Sequence, residues 1–205
     1  MNPPSCQSPT THGGSCPATE TGDPSAAGTR RVVVALGSNL GDPVANLRWA
    51  MDRLEERSAA PLRRSSLWTS TPVDCPPGSP VFVNAVAILR PLPGESPESL
   101  LDHLQALERE AGRRPKVVHN ESRILDLDLV AWDDRMLDTP RLVLPHPRAT
   151  VRRFVLQPLA ELTPGFRFPG ATATVADLLR VLPPDDQLRI LADAGPGRFP
   201  GPPQD

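Results

Sequence analysis

The sequence predicts an α+β fold, an antiparallel sheet with two helices on one face and the other face free for ligands. Three observations lead there. Short apolar runs of strand composition alternate with helical periodicities in the order β-α-β-β-α-β. Each of the two helical stretches opens on a capping residue followed by proline. The chain of 205 residues, 39% of them hydrophobic, suffices for one core of ordinary size. The element order is that of the ferredoxin-like split βαβ sandwich, here with C-terminal additions.

Val32 to Leu36 is a β-branched apolar run ended by Gly37-Ser38-Asn39, which reads as a buried strand and a turn. Asp42 then caps a helix with Pro43 at its first position and Leu47, Ala50, Met51 and Leu54 at helical spacing. Ser65 to Ser70 and Val81 to Leu89 have strand composition, and the proline-rich stretch Pro72 to Pro80 between them reads as a functional loop. Ser96 caps the second helix, whose stripe is Leu100, Leu101, Leu104 and Leu107 and whose end is marked by Gly112. A strand from Ile124 to Trp132, a return segment near Met136, and a helix carrying Val151, Phe154, Val155 and Leu159 follow. Val175, Leu178, Leu179 and Leu182 form a last helical pattern, expected to pack on the domain. Residues 1–29 and 194–205 are rich in Pro, Gly, Ser and Thr and are expected to be disordered tails flanking a domain over 30–193.

A formal charge of -2 gives no bulk attraction for nucleic acid or an anionic membrane, so neither is expected as a partner. Three cysteines without a C-x-x-C pair, no run long enough to span a membrane and no leader pattern favour a cytoplasmic protein, expected to be monomeric.

The chemistry concentrates in Arg123-Ile124-Leu125-Asp126-Leu127-Asp128-Leu129. Strand alternation puts Leu125, Leu127 and Leu129 on one face and Asp126 and Asp128 on the other. Their Cα atoms lie roughly 6.5 to 7 Å apart, so two carboxylates can converge on one hard cation or bracket two, and oxygen-only ligation suits Mg²⁺. An amphipathic strand with acids on its wet side fits the same pattern. The basic residues Arg113, Arg114 and Lys116, just ahead of Arg123, favour a metal-phosphate site, because polyphosphate chemistry needs cations on both sides of its charge. Gly37-Ser38-Asn39-Leu40-Gly41 lacks the Lys-Ser/Thr ending of a P-loop and reads as a turn.

Four blocks in order carry a resemblance: Ala35 to Gly41, Phe82 to Val86, Arg123 to Leu129, and Pro145-His146-Pro147-Arg148 with Arg152, Phe154 and Pro158 beyond. Over about Val32 to Phe168 the chain resembles the 6-hydroxymethyl-7,8-dihydropterin pyrophosphokinases of folate biosynthesis. The resemblance implies the same ferredoxin-like fold and transfer of the pyrophosphoryl group of ATP to the pterin hydroxymethyl oxygen, giving AMP, with two Mg²⁺ ions. Asp126 and Asp128 are then the metal ligands. With Arg113 and Arg123 they form the catalytic set; Gln105, Lys116, His146 and Arg152 join those arginines in binding ATP. Thr71, Pro72, Asp74, Phe82, Asn84 and Phe154 form the pterin pocket, with the two phenylalanines sandwiching the ring, and the loops Pro72 to Pro80 and Arg113 to Ser122 are the segments expected to close over substrate. Ahead of Arg123 the family carries small residues where this chain has Glu121. That departure motivates an alternative reading, a ferredoxin-like pterin-binding module without transferase activity.

Overall fold

The structure, a computed structural model, describes residues 30–72, 76, 78–113 and 122–191. The expected tails, and Asp74, Arg114, Lys116 and Glu121, lie outside the described residues. The elements run β1 (Val32–Ser38), α1 (Pro43–Glu55), β2 (Arg63–Arg64), β3 (Trp68–Ser70), β4 (Phe82–Leu89), α2 (Pro97–Glu110), β5 (Asp126–Trp132), β6 (Leu137–Asp138), β7 (Val143–Leu144), α3 (Arg153–Leu162), α4 (Val175–Val181) and β8 (Arg189–Ile190). Among the described residues no helix is long and apolar enough to cross a membrane.

The strands form one sheet in the order β5-β1-β4-β3-β8, with β2 also on β4, and every pairing is antiparallel. β1 is central and covered on both faces, which is why its sequence is continuously apolar. Val32, Val34 and Leu36 face α1 and α2, meeting Leu47, Leu54, Leu100, Leu104 and Leu107. Val33 and Ala35 face the other way, toward Val155, Leu156 and Leu159 of α3 and Val175 of α4.

That second layer corrects the expectation of a free face. α3 and α4 cover it where Val33, Val86, Ile88 and Val130 supply apolar surface. The part outside this apolar cluster holds Gly37, Asn84, Asp126 and Asp128. Register brings these together: Gly37 stands opposite both Asn84 and Asp126, and Ala35 opposite Asp128.

Two further expectations are corrected. The strand expected over Ser65 to Ser70 is shortened to β3, Trp68–Ser70, with β2 (Arg63–Arg64) a separate strand ahead of it, because between them the Ser65 hydroxyl, and not a main-chain carbonyl, accepts the Val86 N–H at 2.9 Å. Val151 is not on the apolar side of a helix; it is exposed in a single 3₁₀ turn, Ala149–Val151, ahead of α3. The caps agree with the sequence: Asp42 accepts from Ala45 N–H at 3.0 Å, and Ser96 and Ser99 exchange side-chain bonds in a capping box.

Gly112 shapes the route into the site. α2 ends in a Schellman turn, with Gly112 N–H on Arg109 C=O at 3.0 Å and Arg113 N–H on Glu108 C=O at 2.9 Å. Gly112 has φ +92, and a Cβ there would stand 3.2 Å from Ile124 Cδ1. Gly112→Ala should therefore lower the unfolding free energy by about 1–2 kcal/mol in a denaturant titration; an unchanged midpoint would show that this turn does not require glycine.

Candidate active site

The site lies on the open part of the sheet. β5 alternates Leu127 and Leu129 into the α1/α2 core and points Asp126 and Asp128 to the opposite face. Asp126 sits between two guanidinium groups: Arg123 Nη1 is 2.8 Å from Oδ2 and Arg113 Nη1 is 3.2 Å from Oδ1. Arg113 also ion-pairs with Glu108, whose Oε1 accepts the Leu127 N–H at 2.8 Å. Asp128 meets Arg152, Nη1 to Oδ2 at 3.6 Å, and the Arg152 guanidinium carbon lies 5.4 Å from the centre of the Phe154 ring.

Burial and opposed charges shift the titrations here. Partial burial and then the neighbouring Asp126 hold the Asp128 carboxyl above the ordinary carboxylate range, against the pull of His146 and Arg152. Burial lowers His146, although Asp128 favours its charged form. Glu108 is raised, first by burial, with its bond from Leu127 opposing. Among the described residues no three His, Cys, Asp or Glu side chains are grouped to hold a metal by themselves. A cation on Asp126 and Asp128 would need further oxygens from its ligand.

The backbone of Arg123 is positioned by a knot of short polar side chains. Asn39 accepts the Arg123 N–H on Oδ1 at 2.7 Å and donates from Nδ2 to Pro80 C=O at 3.2 Å and Ser122 Oγ at 3.0 Å. Its main-chain N–H bonds the Arg123 carbonyl at 3.1 Å. Ser38 Oγ donates to Ile124 C=O at 2.5 Å, and Asn46 on α1 donates to Ser38 Oγ, Leu40 C=O and Ile124 C=O. One buried asparagine thus ties the β1–α1 turn to the end of each neighbouring loop. The sequence reading of Gly37 to Gly41 as a simple turn missed it. The available signal was Asn46, an amide on the apolar face of a helix. Glu108, four residues after Leu104 on the buried side of α2, gave the same kind of signal.

The structure brings together most of the expected residues. Arg113, Arg123, Asp126, Asp128, His146 and Arg152 surround one surface. Asn84, 5% exposed, and half-buried Phe82 come from the start of β4, and half-buried Phe154 from the start of α3. Thr71 is exposed and Pro72 half-buried just past β3. Gln105 is exposed and shares a side of α2 with Leu101 and Glu108. Beside β5 a cleft of about 280 Å³, not foreseen from sequence, is lined by Leu101, Leu129, Leu142 and Val143 together with Asp128, Arg141 and His146.

The family profile described as 7,8-dihydro-6-hydroxymethylpterin-pyrophosphokinase (HPPK) matches residues 33–164. The chain belongs to this family. The HPPK of Pseudomonas aeruginosa, named 2-amino-4-hydroxy-6-hydroxymethyldihydropteridine pyrophosphokinase, is 43% identical over 141 residues, covering 68% of this chain and 85% of that one. The protein of the same name from Synechocystis is 37% identical over 147 residues, covering 72% and 73%. Among solved structures, an HPPK–DHPS of Plasmodium falciparum aligns with a TM-score of 0.58 at 15% identity, over 74% of this chain, which spans 45% of that one. At that identity the likeness concerns the fold.

Asn39→Ala should lower the unfolding free energy by about 1–3 kcal/mol, since it leaves the Arg123 N–H without its acceptor. Unchanged stability would show that the loops are held without this side chain.

Proposed function

We propose that the chain transfers the β,γ-pyrophosphoryl group of ATP to the hydroxymethyl oxygen of 6-hydroxymethyl-7,8-dihydropterin, yielding AMP and the pterin diphosphate. The observation that carries this reading is the juxtaposition of Asp126 and Asp128 with Arg113, Arg123, Arg152 and His146 on a surface that also carries Asn84 and Phe82. A pterin-binding module would gain nothing from that set of charges. Family membership and the names of the relatives support the same reading. The all-antiparallel order β5-β1-β4-β3, with α1 and α2 on one face, supports assigning the fold as ferredoxin-like.

Two carboxylates of hard oxygen character fit Mg²⁺, which prefers one or two protein carboxylates completed by water and phosphate oxygens. Asp126 and Asp128 would hold it, in two ions on the family reading. Bound there with ATP, Mg²⁺ would neutralise phosphate charge and favour in-line displacement. Arg113 and Arg123 exchange part of their contact with Asp126 for phosphate oxygens, and Arg152 and His146 flank the opposite side. The cleft beside β5 suits the base and ribose, since it joins the apolar side chains of Leu101, Leu129, Leu142 and Val143 to the polar groups of Asp128, Arg141 and His146. Asn84 bonds the pterin edge and Phe82 and Phe154 pack on its ring. The hydroxymethyl oxygen bonds to the β-phosphorus, the bond from that phosphorus to the α-phosphate bridging oxygen breaks, the hydroxyl proton is released, and AMP departs. Such catalysis is mostly placement and charge stabilisation.

Asp126→Ala and Asp128→Ala should each reduce AMP formation by at least a thousandfold while leaving the far-ultraviolet circular dichroism unchanged. Turnover within tenfold of the parent in either variant would remove that carboxylate from the assignment.

A further inference from the structure

We infer that Arg153 is a positioning residue that holds Arg152 and Phe154 at the site by fastening the start of α3 to the end of α4. The inference rests on the proposed roles of Arg152 beside phosphate and Phe154 on the pterin ring. Arg152 Nη1 lies 3.6 Å from Asp128 Oδ2, and its guanidinium carbon lies 5.4 Å from the centre of the Phe154 ring. Arg153, between them in sequence, reaches α4 instead. Its Nη2 donates to the Leu179 and Leu182 carbonyls and its Nε to the Pro183 carbonyl, each at 2.8 Å.

Both ends of this link lack the usual fastening. The N-cap of α3 is Arg152 itself, extended at φ -103 and ψ 104, and no side chain caps the first turn. The 3₁₀ turn ahead of it is held by two long bonds, Val151 N–H on Arg148 C=O and Arg152 N–H on Ala149 C=O, both 3.4 Å. At the other end, the residue one helical step beyond Leu179 is Pro183, which has no N–H to offer the Leu179 carbonyl. Arg153 supplies that missing donor. The packing of Val155, Leu156 and Leu159 with Val175, Leu178 and Leu179 holds the two helices together, but apolar contact is not directional. A planar guanidinium bonded to three carbonyls is directional, and it fixes how the first turn of α3 is rolled. Any roll of that turn moves Arg152 and Phe154 together, so the phosphate and pterin contacts would be misplaced at once.

The test compares Arg153→Ala, Arg153→Lys, Arg152→Ala, Phe154→Ala and the double variants Arg153→Ala/Arg152→Ala and Arg153→Ala/Phe154→Ala. KM for pterin, KM for ATP and kcat are read well below the unfolding midpoint of each variant, so that only folded protein is assayed. Arg153→Ala should raise both KM values about tenfold, the order of loss that misplaced substrate contacts bring. Arg153→Lys, whose ammonium keeps three donors, should recover most of that loss. The effect of Arg153→Ala on pterin should vanish once Phe154 is removed, and its effect on ATP once Arg152 is removed. A lower unfolding midpoint in Arg153→Ala with both KM values within about twofold of the parent would overturn the inference, as would losses that add in either double variant. If Arg153→Ala does not fold, Arg153→Lys and Arg153→Gln carry the comparison: KM values rising from parent to Lys to Gln support the inference, and unchanged values overturn it. Unchanged KM values in both Arg152→Ala and Phe154→Ala would remove those two assignments and the inference with them, whereas a parent that forms no AMP with pterin would overturn the proposed function itself.

Discussion

Everything at the site depends on the register of β1 between β4 and β5. That double antiparallel pairing sets Gly37 beside both Asn84 and Asp126. A slip of one residue on β5 would turn Asp126 and Asp128 into the leucine-lined core and Leu127 and Leu129 out to the site. The core against α1 and α2 holds the register, since Leu36, Leu127 and Leu129 are all buried in it. The same strands therefore serve as hydrophobic scaffold on one face and polar platform on the other.

The platform is crowded with charge and remains folded because opposite charges alternate. Arg113 joins Glu108 to Asp126, Arg123 takes the other oxygen of Asp126, and Arg152 lies between Asp128 and Phe154. Partners of this kind can be exchanged for a polyphosphate and its cation without exposing any group unpaired, so the free and liganded states differ in who pairs with whom. The Asn39 knot keeps that exchange local. It fixes the Arg123 backbone while leaving the side chain to choose its partner.

Local signals made much of this legible in the sequence. Helix starts followed from Asp42-Pro43 and Ser96-Pro97, the end of α2 from Gly112, and the paired carboxylates from the alternation in Leu125 to Leu129. What escaped were contacts between segments distant in sequence. Asn39 reaches Ser122 and Pro80, Ser70 reaches Asn84, and Leu142 and Val143 come to the edge of β5 only through the fold. The covering of the second face by α3 and α4 was missed for the same reason. The apolar pattern of each helix was visible, but the sheet face that receives it is set by tertiary packing.

The most direct measurement of the central claim follows the phosphate. With ATP labelled at the β-phosphate, Mg²⁺ and 6-hydroxymethyl-7,8-dihydropterin, labelled pterin diphosphate and an equal amount of unlabelled AMP should form, and only when the pterin is present. Labelled ADP, or AMP released at the same rate without the pterin, would contradict it.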